Sequence, residues 1–386
     1  MNSKQAARAR LDQARAALTA LSHRIHAHPE LGFEEQQACS WLVEMLDDAG
    51  FEVQTGVCEL PTAFIAKAGS GPLNIGIMAE YDSLPGIGHA CGHNLIAAMA
   101  TGAAMALAKV ADDAGITVTV IGTPAEEVGN ASGKVLLLER GAYKGIHAAM
   151  MVHPAPMDFV QPNIIAASMF DVHYTGKEAH ASAFPELGIN AADALTVAQT
   201  AIGLLRQHIR QSDRIHGICT HGGEAPNIVP AHTSARYIIR GETSQELEEL
   251  RVKVRHCFEA GALATGTKLE LRGGDKPYTE MLHDADMAEL YRVNAVALGR
   301  RLAAPESNAR FSASTDMGNV SKTIPSIHPM IGIDCLPAVN HQPEFTAHCV
   351  SAAADQALWD GALGMAWTAI DMAADKNLST RLLARK

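Results

Sequence analysis

Cys91 and His93 stand two residues apart in the stretch Ile77 to Asn94, IMAEYDSLPGIGHACGHN, which begins as an apolar strand and breaks at Pro85 and Gly86. Side chains two apart in an extended or loop segment lie on the same side, so this thiol and imidazole can share one ion. Gly92 between them lets the backbone turn tightly, and Asn94 stands where it would cap the long apolar helix that follows. Taken alone, a cysteine in a glycine-rich loop is as readily a small buried apolar side chain. The same arrangement recurs downstream, however. The β-branched run Ile116 to Gly122 leads into Thr123, Pro124, Ala125, Glu126 and Glu127, and the apolar run Ala148 to Val152 leads into His153. Three successive strands thus end in a group able to bind metal or move a proton. In open α/β sheets ligands bind at the carboxyl ends of the strands, so these groups are expected to converge.

A fifth donor comes from far along the chain. Ile327 to Ile333 reads as a strand, and the loop after it carries Asn340, His341, Gln342, Pro343 and Glu344. Among 18 histidines a loop imidazole is by itself unremarkable, but this topology brings His341 to the same sheet. Cys91, His93, Glu127, His153 and His341 together exceed the three or four ligands of one zinc site and suit a pair of divalent ions sharing a bridge. The thiolate favours zinc, while carboxylate and imidazole also accept manganese. Adjacent side chains diverge, so Glu126 and Glu127 should not serve one ion equally: one ligates, and the other faces the activated water as general base.

The elements around these groups alternate. Lys4 to Leu21 is rich in Ala and Arg in the manner of a transit peptide, but the pattern runs unbroken into Ser22 to Gly32 and reads as the first helix of the domain. Glu34 to Ala49 is helical, ending at Gly50, and Phe51 to Val57, Ala63 to Ala68 and Leu73 to Ala79 are strands. Leu95 to Val110 is a helix so poor in charge that it must be covered on most sides. This alternation predicts an α/β fold with a mainly parallel sheet. After His153 a proline-rich passage introduces a different order: strand Ile164 to Tyr174, helix Ala191 to Ile209, strands Arg214 to His221 and Thr233 to Gly241, helix Gln245 to Gly261, strand Thr267 to Arg272. That is the split βαβ order of a ferredoxin-like α+β domain. The predicted organisation is a catalytic domain in two parts, residues 1–162 and 276–386, with a ferredoxin-like domain inserted at 163–275.

Composition narrows the partners. A chain of 386 residues exceeds what one core usually serves. Its 47% hydrophobic and 19% charged residues are ordinary for a soluble globular enzyme. A formal charge of −11 argues against nucleic acid or an anionic membrane as partner, and no apolar run has the roughly 20 residues of a membrane helix. Seven cysteines without a CxxC pair fit a reducing compartment, and the cytoplasm is the expected location.

The motifs HAHPELGFEE (His26 to Glu35), YDSLPGIGHACGHN (Tyr81 to Asn94), PAEE (Pro124 to Glu127), TGKEAHAS (Thr175 to Ser182), PNIVP (Pro226 to Pro230), STDMGNVS (Ser314 to Ser321) and NHQPEF (Asn340 to Phe345) resemble the dinuclear metallopeptidases that include aminoacylases and glutamate carboxypeptidases. Within them the chain is similar to the amidohydrolase branch of indole-acetyl-amino-acid hydrolases, p-aminobenzoyl-glutamate hydrolase subunits and β-alanyl-lysine dipeptidases. The resemblance covers nearly the whole chain in order. It implies that Cys91 bridges two metals, that His93, Glu127, His153 and His341 are terminal ligands, and that Glu126 is the catalytic base. It further implies that the inserted domain forms a homodimer contact and closes over the substrate, with His180 stabilising the tetrahedral oxyanion. Asn227 and Arg240 would hold the substrate carboxylate, Arg236 competing for that role, and Asp82 would orient a ligand. The expected reaction is hydrolysis of N-acyl amino acids or dipeptides with a free carboxylate. Two cations lower the pKa of a water and polarise the amide carbonyl, while Glu126 takes the proton.

Two other classes compete with this reading. A zinc-dependent oxidoreductase could use the same ligand types, but no G-x-G-x-x-G follows a strand here. A non-catalytic, metal-containing subunit of a hetero-oligomeric hydrolase fits the same ligands, and the intact Glu126 argues against it.

Overall fold

The computed structural model describes residues 2–304 and 312–385, which form two compact units. The first comprises residues 2–128, 132–163 and 281–385, and the second residues 129–131 and 164–280.

In the first unit the β-branched and apolar runs pair into one six-stranded sheet. Its strands are β1 (Glu52–Thr55), β2 (Phe64–Ala68), β3 (Leu73–Ala79), β4 (Ile116–Gly122), β5 (Ala148–Met150) and β11 (Ser326–Ile327), in the order β1-β2-β4-β3-β5-β11. β4, β3, β5 and β11 run parallel, and β1 and β2 form an antiparallel edge. Strands β3 and β4 are buried along almost their whole length, as their near-continuous apolar sequences require. Helix α1 (Ser3–Ala27) and the late helix α7 (Ala352–Ala374) pack against α3 (His93–Ala108), every residue of which from His93 to Leu107 is buried. Gly102 makes this possible, because a Cβ there would come within 2.9 Å of Leu18 Cδ1 and 3.1 Å of Leu11 Cδ1. Helix α2 (Gln36–Asp48) lies against β1 and β2, and a short helix α4 (Gly133–Glu139) follows the Glu126–Glu127 turn.

Three local expectations are corrected. Asn94 does not cap α3: Gly92, in the left-handed conformation at φ +80°, takes the cap position, and the Asn94 amide instead donates to Ser22 Oγ at 2.9 Å and Cys349 O at 3.1 Å. Ile327 to Ile333 is not one strand. It divides into β11 in the main sheet and β12 (Met330–Gly332), which pairs with β6 (His153–Ala155) in a separate parallel ladder. Pro329 lacks the N–H that would continue the first ladder, and its carbonyl accepts from His153 N at 2.9 Å. His153 therefore opens a strand of its own rather than ending β5.

The second unit is a four-stranded antiparallel sheet, β10-β7-β9-β8, made from β7 (Ala166–Thr175), β8 (Arg214–His221), β9 (His232–Gly241) and β10 (Lys268–Gly273). Helices α5 (Ala191–Leu205) and α6 (Ser244–Thr265) bury Phe170, Val172, Tyr174, Ala235, Tyr237 and Ile239 beneath them, alternate residues of β7 and β9. This is the ferredoxin-like order. Among the described residues no helix is long and apolar enough to cross a membrane.

Candidate metal centre

Strand β3 delivers Glu80, Tyr81 and Asp82 to the site, and the loop beyond carries Cys91 to the start of α3, where His93 is fully buried. Asp82 is the hub. Its Oδ1 lies 2.9 Å from His93 Nδ1 and its Oδ2 accepts the Glu127 N–H at 2.9 Å, so it joins the end of β3, the start of α3 and the turn after β4. A proton on Nδ1 turns the Nε2 lone pair of His93 inward, where it is buried with no hydrogen-bond partner. Around that nitrogen stand Glu80 Oε2 at 3.5 Å, Glu126 Oε2 at 4.0 Å and Glu127 Oε1 at 4.0 Å.

His153 is oriented in the same way. Its Nδ1 donates to Pro154 O at 2.8 Å, and its Nε2 faces the Cys91 sulfur at 3.4 Å. His341, at φ +68°, has its backbone N–H on Ala90 O at 2.8 Å, and its Nε2 is 3.3 Å from Glu127 Oε1. The five candidate ligands thus fall into two donor triads, Cys91–His93–His153 and Cys91–Glu127–His341, within each of which the donor atoms lie no more than 4.8 Å apart. Cys91 belongs to both. The expectation that Glu126 and Glu127 diverge holds for their surroundings but not for their reach, since both carboxylates come equally near His93 Nε2. The two acids share a third close group with His93; beyond it Glu127 turns toward Cys91 and His341, whereas Glu126 joins Glu80 and Asp316 in a fourth.

The electrostatics match this arrangement. Burial, together with the neighbouring Glu127, pushes the Cys91 thiol well above its usual range. Burial, with Glu80, Glu127 and Asp316 close by, does the same to Glu126. Burial opposes a charge on His93, but Asp82 and Cys91 outweigh it and raise its proton affinity. Burial drives His153 down to about 4, which leaves it a neutral imidazole near neutrality. A neutral imidazole on His153, a strongly basic Nε2 on His93, a thiol and two carboxylates in a largely buried site are a donor set that divalent cations satisfy, and the unpartnered Nε2 of His93 is an atom that such a cation would serve in place of a proton.

Behind Glu126 lies a group that the sequence does not single out. Lys134, fully buried at the start of α4, places its ammonium on Glu80 Oε1 and, at 2.6 Å, on Asp316 Oδ1. Its backbone N–H donates to Asp316 Oδ2 at 3.0 Å. Burial works against the Glu80 charge, yet Lys134 and His93 hold its pKa down to about 2. Asp316 lies in the STDMGNVS motif and Glu80 in IMAEYD, so both stand in recognisable stretches. Lys134, ahead of the apolar run VLLL, reads in sequence as an ordinary cation in a helical segment.

The remaining candidates lie in the second unit. The turn carrying His180 pairs with the loop carrying Asn227: Ala181 N donates to Asn227 O at 3.0 Å and Val229 N to Ala179 O at 3.0 Å. His180 Nδ1 accepts from Ser182 N and Ala183 N, each at 3.3 Å, which leaves Nε2 as the protonated, outward nitrogen of an exposed ring. Arg240 and Arg236 share the β9 face opposite the helices. Arg236 is held in a two-pronged pair by Asp171 on β7, at 2.7 and 3.1 Å.

Residues 76–356 match the family described as Peptidase family M20/M25/M40. The Xaa-Arg dipeptidase of Mus musculus is 37% identical over 387 residues, covering 96% of this chain and 88% of that protein. One of the p-aminobenzoyl-glutamate hydrolase chains of Escherichia coli (strain K12) is 34% identical over 275 residues, covering 66% of this chain and 57% of that protein. Among solved structures, a dinuclear metal-binding peptidase of the same family from Bacillus subtilis superposes with a TM-score of 0.70 at 21% identity, over 94% of this chain and 99% of that one, a likeness of fold. Peptidase relatives of this extent set the oxidoreductase alternative aside. With a family match over more than half of its length and a dipeptidase relative over nearly all of it, the chain belongs to peptidase family M20/M25/M40 and is a metal-dependent hydrolase of amide bonds.

Proposed function

We propose that the chain cleaves dipeptides or N-acyl amino acids whose released residue carries a free carboxylate, with Cys91, His93, Glu127, His153 and His341 holding two divalent ions. Zinc is the first candidate and manganese the second. The observation that carries this reading is the sharing of Cys91 between two donor triads, the arrangement a bridging thiolate needs. When bound, divalent cations supply a water of near-neutral pKa and polarise the scissile carbonyl.

The chain's own groups do the rest. Glu126 is the general base, taking a proton from the water and returning it to the leaving nitrogen: its burial and acidic neighbours raise its proton affinity, the direction that role requires. Asp82 orients His93 and the Glu127 backbone. His180, with Nε2 as donor, stabilises the oxyanion. Asn227 and Arg240 bind the substrate carboxylate, with Arg236, which Asp171 holds in a two-pronged pair, as the competing cation. Dipeptides ending in a basic residue head the substrate list, supported by the Xaa-Arg dipeptidase relative and the net charge of −11.

The chain acts as a homodimer in the cytoplasm. The open edge of β8 and the exposed apolar Leu204 (72%) and Ile218 (65%) of the second unit support the dimer. Seven free cysteines support the location.

The test is metal analysis of the purified chain with a panel of acyl-glutamate, acyl-aspartate, acyl-lysine, β-alanyl and Xaa-Arg dipeptides, each beside its carboxamide. Hydrolysis confined to free-carboxylate substrates is expected. No hydrolysis of any substrate by zinc- or manganese-loaded protein would make the chain a non-catalytic component of a larger hydrolase.

A further inference from the structure

The segment His26 to Glu35 supplies no donor to the centre, yet it touches both strand ends that do. Glu35 stands at the cap position of α2 but makes no capping bond. Its fully buried carboxylate points away from its own helix, accepting the Ala125 N–H at 2.7 Å on Oε1 and the Thr62 hydroxyl at 2.9 Å on Oε2. Ala125, which immediately precedes Glu126, is held at φ +59°, a left-handed conformation that a residue with a Cβ adopts at a cost. The same segment lies directly on that turn, since a Cβ on Gly32 would fall 3.0 Å from both Ala125 Cα and Cβ and 2.8 Å from Val128 Cγ1. At the other strand end the Glu30 carbonyl accepts from Ser83 N at 2.8 Å and Ser83 Oγ at 2.9 Å, one residue beyond Asp82.

We propose that Glu35 is a positioning residue for the reaction: by holding Ala125 in its left-handed turn it aims the Glu126–Glu127 pair. A carboxyl group suits the task because Oε1 accepts from Ala125 whether or not Oε2 carries a proton, and the Thr62 hydroxyl opposite Oε2 can donate or accept. The catalytic part of this inference rests on Glu126 being the base. The geometric part does not, and the experiment separates them.

In metal-free protein, hydrogen exchange at the Ala125 amide is compared between the native chain and Glu35→Ala, with the Thr123 amide, bonded to Ala79 O at 2.7 Å, as internal control. Ala125 should exchange roughly a hundredfold faster in the variant and Thr123 should not change. In the metal-loaded enzyme Glu35→Ala should lower kcat roughly ten- to hundredfold with KM within about twofold. Ala125→Gly, which takes up the positive φ without help, should restore most of that loss when combined with it. Glu35→Gln should stay near native activity, because the Thr62 hydroxyl can reverse to accept from the amide nitrogen while the amide oxygen still serves Ala125. If Glu35→Ala does not fold, Glu35→Asp, which keeps the charge but falls short of Ala125, carries the same comparisons. Unchanged exchange at Ala125 overturns the proposal outright. Faster exchange with unaltered kcat, or a loss that Ala125→Gly leaves in place, overturns the positioning role.

Discussion

Asp82 reaches His93 Nδ1 at 2.9 Å with one carboxylate oxygen and carries the Glu127 backbone with the other, so one side chain sets the direction of a candidate ligand from each of two donor triads. Orienting groups of this kind are worth about 10- to 100-fold in metal affinity.

Asp82→Asn therefore tests the hub. The amide keeps one acceptor but turns an N–H toward either His93 Nδ1–H or Glu127 N–H, both of them donors. Metal affinity, read by competition against a chromophoric chelator, should fall about 10- to 100-fold. An affinity within twofold of native would show that His93 and Glu127 are held by their surroundings alone.

Glu126→Gln separates ligation from proton transfer. Glu127 and His341 remain against Cys91, so metal content should be unchanged, while kcat drops about 10²- to 10⁴-fold with the base removed. Native-like turnover would remove Glu126 from the mechanism.

Lys134→Met leaves Glu80 and Asp316 buried without their counter-charge, at a stability loss of about 3–5 kcal/mol by urea denaturation. The acid limb should change too. The Glu80 pKa is lowered from 4.5 to about 2, so its contribution is full above pH 4.5 and is lost as pH falls toward 2. The variant should lack that part of the slope, and parallel pH profiles for the two proteins would count against the pairing.

Glu35 carries the opposite sign. Burial, and then the nearby Asp82, raise its pKa from 4.5 to about 7, with Cys39 and Tyr81 as the other titratable neighbours. The folded chain thus holds this proton more tightly than the unfolded one. Native stability should decline as pH rises from 4.5 to 7, by about 3 kcal/mol from this group, and then level off. Glu35→Gln removes the titration, so its stability relative to native should grow across that window. An offset independent of pH would show that Glu35 does not titrate there.

Period and punctuation made much of this molecule readable beforehand. Two-residue alternation in β7 and β9 announces a sheet with one buried face, and the apolar runs of β3 and β4 announce buried parallel strands, so the residues beyond their ends were visible as candidates. What stayed hidden depends on which distant elements meet. Lys134 becomes a buried cation only because the end of β3 and the loop bearing Asp316 close around it. Glu35 sits among other acids in a helix-start pattern, and nothing local says that its carboxylate turns toward Ala125. The cap of α3 departs from the sequence pattern because a left-handed Gly92 displaces Asn94, the residue whose type usually fills that place. The division of the 327–333 run follows from one missing N–H at Pro329, which is visible in sequence, although the partner strand β6 that receives the second half is not.

His341 is the last donor to be synthesised. A chain cut just upstream of it keeps every member of the Cys91–His93–His153 triad, and the β12 strand that pairs with β6, while the triad containing His341 lacks a member. Such a fragment should therefore capture fewer cations than a chain that includes His341.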